Sequence, residues 1–406
     1  MKMRAFLVLS LLIVEAFANR YRYYRYSKLK PQDVPECMSP GLVAQFEDNP
    51  KLKGYIIERH QGLSNSARIN FQKYNKYPAI ENFLKSLGNR PSIGPSGQKI
   101  YAYDEVIGTT VENRKIYLVK IFKKDMHKRT RYSKRMRKPA ILIDGTLHAR
   151  EWISPAVVLY FINQLKNNPQ QDPAIEKLVD MYDWYFIPVA NPDGYVYTYT
   201  TDPCWRKNRR QTSSDPVCYG VDLNRNFGYD DKTWDPSVGG STDPCNYNGY
   251  TGTGPFTEEE TKAVMKVMNR KGVNFVAYFS FQSYSQIWAY PWGYKKEALP
   301  DAEDLRKAAQ VGADAIFAKS KRIYRVNQSA RIPEFGLIAG ASDDYARGGA
   351  NIKYSYTIEL RDTGEKKFFL PASEITPNGE EMLEGVKAFA NYIYKPRRKY
   401  YYYKKW

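Results

Sequence analysis

Short apolar segments that alternate with helix-like segments constrain the fold of this chain more than any other feature of its sequence. Ile141 to Ile143 is a short apolar run that ends at Asp144-Gly145, and the residues from Ser154 to Leu165 then have helical spacing. A predicted helix at Glu258 to Met268 likewise stands next to a predicted strand at Val273 to Ser280. This alternation predicts an α/β fold with a mixed, mostly parallel, twisted sheet that is covered by helices on both faces.

Two further strands are predicted, at Trp184 to Ala190 and at Tyr354 to Leu360. The first of these is followed by Asn191-Pro192-Asp193-Gly194, which is a strong turn signal. In folds of this kind, functional groups gather where strands end in loops. The length of 406 residues, without an internal repeat, fits one large domain with appendages, and we expect that domain to span residues 66–394.

The N-terminus differs in composition from this domain. Residues 1–18 have the features of an export signal, because Lys2 and Arg4 flank the start of an apolar run and Ala16-Phe17-Ala18 has the small residues of a cleavage site. No later stretch is both apolar enough and long enough to span a bilayer. The sequence therefore predicts a secreted, extracellular protein that begins near Asn19 and has no membrane span.

The net charge of +19 is concentrated in three segments. Residues 19–30 and 395–406 are basic and tyrosine-rich, and residues 122–138 form a basic loop within the domain. We assign residues 19–65 to a basic arm with a short N-terminal lead, and residues 395–406 to a basic tail. Such blocks stay solvated and either favour solubility or bind a polyanion. Export makes nucleic acid a poor candidate, so acidic glycans, anionic matrix or phospholipid are the partners we expect.

Export also permits disulfides, and the chain has four cysteines, Cys37, Cys204, Cys218 and Cys245. Four cysteines allow three pairings, and their spacing does not choose among them. No pair has C-x-x-C spacing, which argues against a cysteine zinc cluster or a redox motif.

The strongest local signal lies directly after the strand that ends at Asp144. His148 and Glu151 are three residues apart at a strand-to-helix junction, so both side chains can reach one metal ion from a single turn. By itself this spacing also fits an ordinary polar pair. The whole segment His148-Ala149-Arg150-Glu151-Trp152, however, resembles the zinc-binding segment of the pancreatic-type (M14) zinc metallocarboxypeptidases of the A/B subfamily.

Further segments resemble the same family in the same order, over about residues 66–394. They are Asn191 to Tyr195, Trp205 to Lys207, Val221 to Phe227, Phe279 to Gln286 with Tyr290 to Tyr294 after it, and Ile352 to Gly364. The resemblance implies a peptidase whose zinc is held by two His and one Glu, the ligand set of carboxypeptidase A, with a fourth position for water.

The resemblance also implies a role for each matching residue. Glu359 takes the position of the general base, and Arg206 that of the group that stabilises the oxyanion. Asn224 and Arg225, helped by Arg150, take the position of the clamp for the free carboxylate of the peptide.

Three other assignments come from the same resemblance. Asp222 would hold the second ring nitrogen of His148, and Asp343 matches the position that distinguishes members specific for a C-terminal Lys or Arg. Cys218 and Cys245 match the single disulfide of the family, which leaves Cys37 and Cys204 to pair with each other.

The chain departs from the family at position 282. The family has a histidine there as its third zinc ligand, whereas this chain has Gln282, with matching residues on both sides. A neutral amide oxygen is a weaker zinc donor than imidazole, so we expect zinc binding to be weak or absent. The remaining histidines, His60 and His127, lie in the N-terminal lead and in the basic loop and are poor replacements.

A second departure concerns the mobile tyrosine that closes over substrate in the family. Counting without gaps puts Gly336 at its position, and a shift of one residue puts Phe335 there; neither has a hydroxyl. The lead from Asn19 to about Asn65 is also too short for the folded inhibitory pro-segment of digestive members, so we do not expect a zymogen mechanism.

Three functions remain as hypotheses. The leading one is a secreted carboxypeptidase-like protein, impaired in catalysis, that binds peptide or protein C-termini, including those that end in Lys or Arg. The second is an active zinc metallocarboxypeptidase that prefers basic C-terminal residues, with Gln282 or water completing a weakened site. The third is a structural protein of the extracellular matrix that acts through its basic, tyrosine-rich tails.

Overall fold

A computed structural model describes residues 63–64, 66, 68–124, 138–170, 172–230 and 233–394. The predicted signal segment, the basic arm, most of the basic loop and the basic tail lie outside these described residues. His60, His127 and Cys37 lie outside them as well.

The described residues are organised around one large mixed sheet. The strands are β1 (Leu63–Ser64), β2 (Tyr74–Asn75), β3 (Ser92–Ile93), β4 (Lys99–Thr109), β5 (Lys115–Lys123), β6 (Pro139–Gly145), β7 (Asp183–Ile187), β8 (Gln211–Ser214), β9 (Val217–Tyr219), β10 (Asn274–Ser283), β11 (Ile287–Tyr290), β12 (Arg325–Gln328) and β13 (Tyr354–Leu360). Nine of them form the sheet in the order β12-β11-β13-β10-β6-β7-β5-β4-β3. Its four central strands, β13, β10, β6 and β7, run parallel, and the antiparallel pairs lie towards the flanks.

Helices cover the sheet on both sides. They are α1 (Tyr77–Ser86), α2 (Ile153–Lys166), α3 (Pro173–Met181), α4 (Pro192–Thr200), α5 (Glu259–Met268), α6 (Ala302–Ser320), α7 (Ser342–Gly348) and α8 (Ile375–Ile393). One core contains side chains of α2, α6 and α8, and a second core contains side chains of α5 and α7. The predicted α/β class, with a mixed, mostly parallel sheet between helical layers, is confirmed.

The alternation of side chains along β6 explains why its sequence is apolar throughout. Ile141 and Ile143 point into the core with α2, whereas Ala140 and Leu142 point into the core with α5. A strand buried on both faces has no solvent-facing position that would favour a polar residue. The predicted strand at Ile141 to Ile143 is therefore found, and it extends over the whole of β6.

Two boundaries differ from the expectation. The strand predicted at Trp184 to Ala190 ends at Ile187, and the predicted turn after it is instead the first turn of α4. The Asn191 side chain accepts a hydrogen bond from the Gly194 amide, and Pro192 occupies the first helical turn, where its missing N–H is not needed. The strand predicted to end at Ser280 continues to Ser283, which puts Gln282 on β10.

The register of the central strands builds the frame of the site. Gln282 on β10 lies beside Glu359 on β13, and Phe281 lies beside Gly145 at the end of β6. Because parallel strands end at the same edge of a sheet, the segments that follow β6, β10 and β13 meet there.

Two predictions about the rest of the chain are tested by the structure. Cys218 and Cys245 form a disulfide, which confirms that pairing. Cys204 is also disulfide-bonded, and its predicted partner, Cys37, lies outside the described residues. Among the helices of the described ranges, none has the length and apolar character needed to cross a membrane.

Candidate functional site

A deep cleft of about 810 Å³ lies at the carboxyl ends of β6, β10 and β13. It brings together every metal, catalytic and substrate-binding residue that the sequence predicts, although these residues come from separate segments of the chain. Those in its lining are His148, Arg150, Glu151, Arg206, Asp222, Asn224, Arg225, Gln282, Asp343 and Glu359.

His148 is held between two carboxylates just beyond the end of β6. The chain turns at Thr146, whose φ of 64° is left-handed, and the Thr146 amide donates to the Ser154 hydroxyl at 3.0 Å. One ring nitrogen of His148, Nδ1, lies 2.8 Å from Glu151 Oε1, and the other, Nε2, lies 3.0 Å from Asp222 Oδ1. The predicted contact between Asp222 and His148 is therefore present in the geometry.

Glu151 has a second contact that fixes its orientation. Its Oε2 accepts a hydrogen bond from the Ser283 amide at 3.1 Å, at the end of β10. Both carboxylate oxygens of this buried side chain thus have partners, one from the backbone and one from His148.

Gln282 lies in the cleft lining together with His148, Glu151 and Glu359. Its side chain is only 2% exposed, and its Nε2 donates to the Ser280 hydroxyl at 3.3 Å. Ser280 in turn donates to Asp144 Oδ1 at 2.9 Å. The Gln282 amide is thus linked through Ser280 to Asp144. The resemblance to the family implies a histidine at this position.

Glu359 is the least satisfied carboxyl group of the cleft. It is 9% exposed, and its Oε2 has no hydrogen-bond partner among the described residues. Burial, together with the negative charge of Glu151, raises the pKa of Glu359 well above its usual range, and the nearby Arg206 only partly opposes this shift. An unpaired carboxyl that faces a cleft is suited to bind or hold a proton.

The residues present do not fit the zinc site that the resemblance implies. Catalytic zinc is held by three protein ligands of the His, Cys or carboxylate type. Within the described ranges, no group of three or more such side chains is placed to hold a metal ion. His148 and Glu151 supply two of the expected donors, and Gln282 supplies only a neutral amide beside them.

Three arginines give the cleft a positive wall. Arg206 donates from Nε to Asp222 Oδ2 at 2.9 Å, and Arg225 donates from Nε to the Gly239 carbonyl at 2.7 Å. Arg150 donates to the Asn248 side chain at 3.1 Å, and its guanidinium lies 4.4 Å from the centre of the Phe368 ring. Guanidinium groups fixed in this way suit the recognition of a carboxylate.

Electrostatic coupling among these groups is strong. Burial, followed by the charge of Arg206, lowers the pKa of Arg150 to about 10. Although burial acts in the opposite direction, Arg206 and His148 hold the pKa of Asp222 well below its usual range. Asp222 therefore remains ionised and ties the arginine wall to the His148 side of the cleft.

Asn224 has a structural contact besides its predicted role. Its Oδ1 accepts from the Ser342 amide at 2.9 Å, at the start of α7. The other polar atom of the Asn224 side chain, Nδ2, is a hydrogen-bond donor, and a ligand carboxylate needs a donor.

Two adjacent aspartates in the first turn of α7 are buried, and one of them lines the cleft. Asp344 accepts from the Gly293 amide at 3.0 Å and from the Tyr294 amide at 3.2 Å, so it serves the backbone. Asp343 is only 2% exposed and lines the cleft. Burial raises the pKa of Asp343 to about 6, and burial together with the charge of Asp343 raises the pKa of Asp344 well above its usual range.

The rim near the predicted tyrosine position has a different chemistry. Phe335 lines the cleft and packs against Ile332, whereas Gly336 has a φ of 65° and no neighbour within reach of an added Cβ. The next rim contact is an ion pair between Arg325 Nη2 and Glu334 Oε1 at 2.6 Å.

The sequence did not indicate several residues of the cleft. Asn248 and Phe368 orient Arg150, and Glu334 and Arg325 form the rim pair. No local motif marks them, because each acts through a contact between single side chains rather than through a repeating spacing.

The cleft at the carboxyl edge of the sheet contains a His–Glu pair, an unpaired glutamate and an arginine wall, which are the residue types that the resemblance to metallocarboxypeptidases implies. Residues 102–385 match the zinc carboxypeptidase family (peptidase M14), and the chain belongs to that family.

Individual relatives agree with this membership. The chain is 37% identical to carboxypeptidase B of Astacus astacus over 326 residues, which are 80% of this chain and 98% of that protein. It is also 37% identical to carboxypeptidase B of Rattus norvegicus over 356 residues, or 87% of this chain and 75% of that protein. The crystal structure of thrombin-activatable fibrinolysis inhibitor is similar with a TM-score of 0.74 and 31% identity, covering 85% of this chain and 81% of that one.

Proposed function

We propose that this protein is a secreted carboxypeptidase-like binding protein with impaired catalysis, which recognises peptide C-termini and prefers those that end in Lys or Arg. The observation that carries the proposal is the combination of Gln282 with a complete arginine wall in one cleft. Catalysis needs a metal-activated water, and binding of a terminal carboxylate needs only the wall.

The binding half of the proposal is supported by the charges of the cleft. Arg150, Arg206 and Arg225 are held by contacts with other parts of the protein, so they need little reordering to receive an anion. Asp343 in the cleft lining offers a counter-charge to a long basic side chain. A free carboxylate at one end and a basic group at the other are what a C-terminal Lys or Arg presents.

The impaired-catalysis half is supported by the donor set. An open catalytic zinc site takes three protein ligands, and Gln282 replaces imidazole with an amide that donates to Ser280. We infer that zinc is bound weakly or not at all, and that no water is activated beside Glu359.

Calorimetric titration tests the binding claim with three peptides of one sequence, which end in Arg with a free carboxylate, in Arg amide, or in Leu with a free carboxylate. Because hydrogen bonds to charged groups contribute about 1.5–3 kcal/mol, amidation should weaken binding about 10- to 100-fold. Arg225→Gln should remove most of this difference, whereas the control Arg306→Gln, on the outer surface of α6, should preserve it. Equal affinity of the native protein for the acid and the amide would refute the proposal.

One observation favours the competing function, an active zinc carboxypeptidase. His148, Glu151 and Glu359 all face the same cleft, so a metal ion completed by Gln282 or by water would lie beside a general base. Near-stoichiometric zinc, together with hydrolysis of an Arg-ending peptide that Glu359→Gln abolishes, would establish this function.

The basic segments 19–30 and 395–406 lie outside the described residues, and we propose from their charge that they bind anionic glycans or matrix. Removal of both segments should reduce retention on a sulfated polysaccharide column without changing peptide affinity. Unchanged retention would contradict this role.

A further inference from the structure

A basic surface leads away from the rim of the cleft, along the chain from the last turn of α6 to the first residue of β12. We call it the basic strip and define it by Lys319, Lys321, Arg322 and Arg325. All four residues are exposed. Arg325 begins β12 and also lines the cleft, so the strip is continuous with the site described above.

Only the two ends of the basic strip have acidic partners within the described ranges. Lys319 pairs with Glu380 at 3.0 Å, and Arg325 pairs with Glu334 at 2.6 Å. No carboxylate of the described residues pairs with Lys321 or Arg322. The two end pairs are about half exposed and therefore weak, so they exchange partners readily, and the middle of the strip carries two charges without a counter-charge in this part of the chain.

Large apolar side chains accompany these charges. Phe317 is 46% exposed and Ile323 is 67% exposed, and Lys321 Nζ lies 5.3 Å from the centre of the Phe317 ring. Exposed apolar groups beside such cations offer a partner apolar contacts as well as charge. A polypeptide with acidic and apolar side chains matches both features, whereas a sulfated sugar chain would use only the charges.

We propose that the basic strip is a second contact for the peptide whose C-terminus lies in the cleft, and that it recognises acidic residues upstream of that terminus. This inference rests on the proposed function, because the cleft must first hold the terminal carboxylate. Lys321 stands four positions before Arg325 in the chain, and an extended chain over four positions spans at most about 14 Å. A peptide that passes Arg325 therefore reaches Lys321 and Arg322 about four residues further upstream.

The test compares two peptides that both end in Arg with a free carboxylate, one with Asp and Glu at the upstream positions and one with Asn and Gln. In low salt the acidic peptide should bind the native protein about three- to tenfold more tightly, and high salt should reduce this advantage. The double variant Lys321→Gln, Arg322→Gln should lose the advantage. The control Lys177→Gln, Lys271→Gln, which removes two exposed lysines that do not line the cleft, should retain it.

Each outcome decides between the two claims. If the neutral peptide binds through its free carboxylate and the acidic residues add nothing, the proposed function stands and the role of the basic strip is refuted. If neither peptide binds, both are refuted. If the double variant instead abolishes binding to anionic phospholipid vesicles and leaves both peptide affinities unchanged, the strip contacts a membrane surface and the inference is overturned.

Discussion

Gln282→His is the substitution that addresses the metal site most directly. The side chain at position 282 is buried at the end of β10, beside Glu359 in register and in the same cleft as His148 and Glu151. An imidazole has a volume similar to that of the glutamine side chain, so the strand can accept it with little repacking. The variant would restore a His, Glu, His donor set.

The size of the effect depends on the number of protein donors. Removal of a residue that only orients a zinc ligand costs about 10- to 100-fold in affinity. A direct imidazole ligand should contribute at least as much as the upper figure, which corresponds to about 2.8 kcal/mol. We therefore expect the zinc affinity of the Gln282→His variant to exceed that of the native chain by about 100-fold or more.

Metal analysis after dialysis and a competition titration with a zinc chelator measure this difference. We expect little zinc on the native protein and close to one ion per chain on the variant. Zinc at about 100 times its dissociation constant should also stabilise the variant by about 2.7 kcal/mol in thermal unfolding. Gln211→His, which adds a histidine at an exposed position outside the cleft lining, controls for non-specific binding.

A native chain that already carries stoichiometric zinc with the affinity of the variant would refute this reasoning. In that case the amide of Gln282, or water, would have to replace imidazole without loss. The ligand preferences on which the impaired-catalysis proposal depends would then not apply to this cleft.

Three further outcomes are expected. The preference for Arg-ending over Leu-ending peptides should fall as pH drops through about 6, because burial raises the pKa of Asp343 to about 6 and protonation removes its charge. Paired titrations on either side of that pH measure the change in preference. Asp343→Asn should abolish the preference at every pH. Glu359→Gln should stabilise the fold by about 1–3 kcal/mol at alkaline pH but not at acid pH. The reason is that the pKa of Glu359 is raised in the folded protein, so the native protein loses stability as the pH rises above the ordinary glutamate range. Denaturant unfolding at both pH values checks this, and an equal effect at both would contradict it. Asp222→Ala should lower the free energy of unfolding by about 3–5 kcal/mol, because the substitution removes the buried carboxylate that His148 and Arg206 contact. A loss of less than about 1 kcal/mol in denaturant unfolding would show that these contacts contribute little.

Elements whose signal is local were predictable from the sequence. Strand β13 begins and ends where it was predicted, α2 is one residue longer than predicted at each end, and α5 begins one residue later than predicted. Each of these has a run of buried residues or a helical spacing that does not depend on partners elsewhere in the chain. The sequence alone also showed that position 282 carries a neutral amide, because that property depends only on the residue type.

Elements whose signal depends on context were not predictable in the same way. Asn191-Pro192 opens either a turn or a helix, and here a helix forms because the Asn191 side chain caps the Gly194 amide and α4 continues from there. The end of β10 is set by pairing with β13, which extends the ladder to Ser283. Local sequence carries no information about the partner strand.

The contacts that orient the arginine wall show the same limit more strongly. Arg150 was predicted as a clamp residue, but its position depends on Asn248 and Phe368, which lie about 100 and 220 residues away along the chain. A cation over a ring and a hydrogen bond to an amide are contacts between single side chains, without any repeating spacing. Only the folded arrangement identifies them.

Most of the buried carboxylates of the cleft have partners among the described protein groups. Asp222 contacts His148 and Arg206, and Glu151 contacts His148 and the Ser283 amide. Glu359 keeps an oxygen with no partner among the described residues, and its raised pKa relieves the cost of burial by retaining a proton. Protein groups therefore supply hydrogen-bond partners for the carboxylates around His148, and the fixed arginines keep this part of the cleft positively charged. Binding of a terminal carboxylate requires only that cleft.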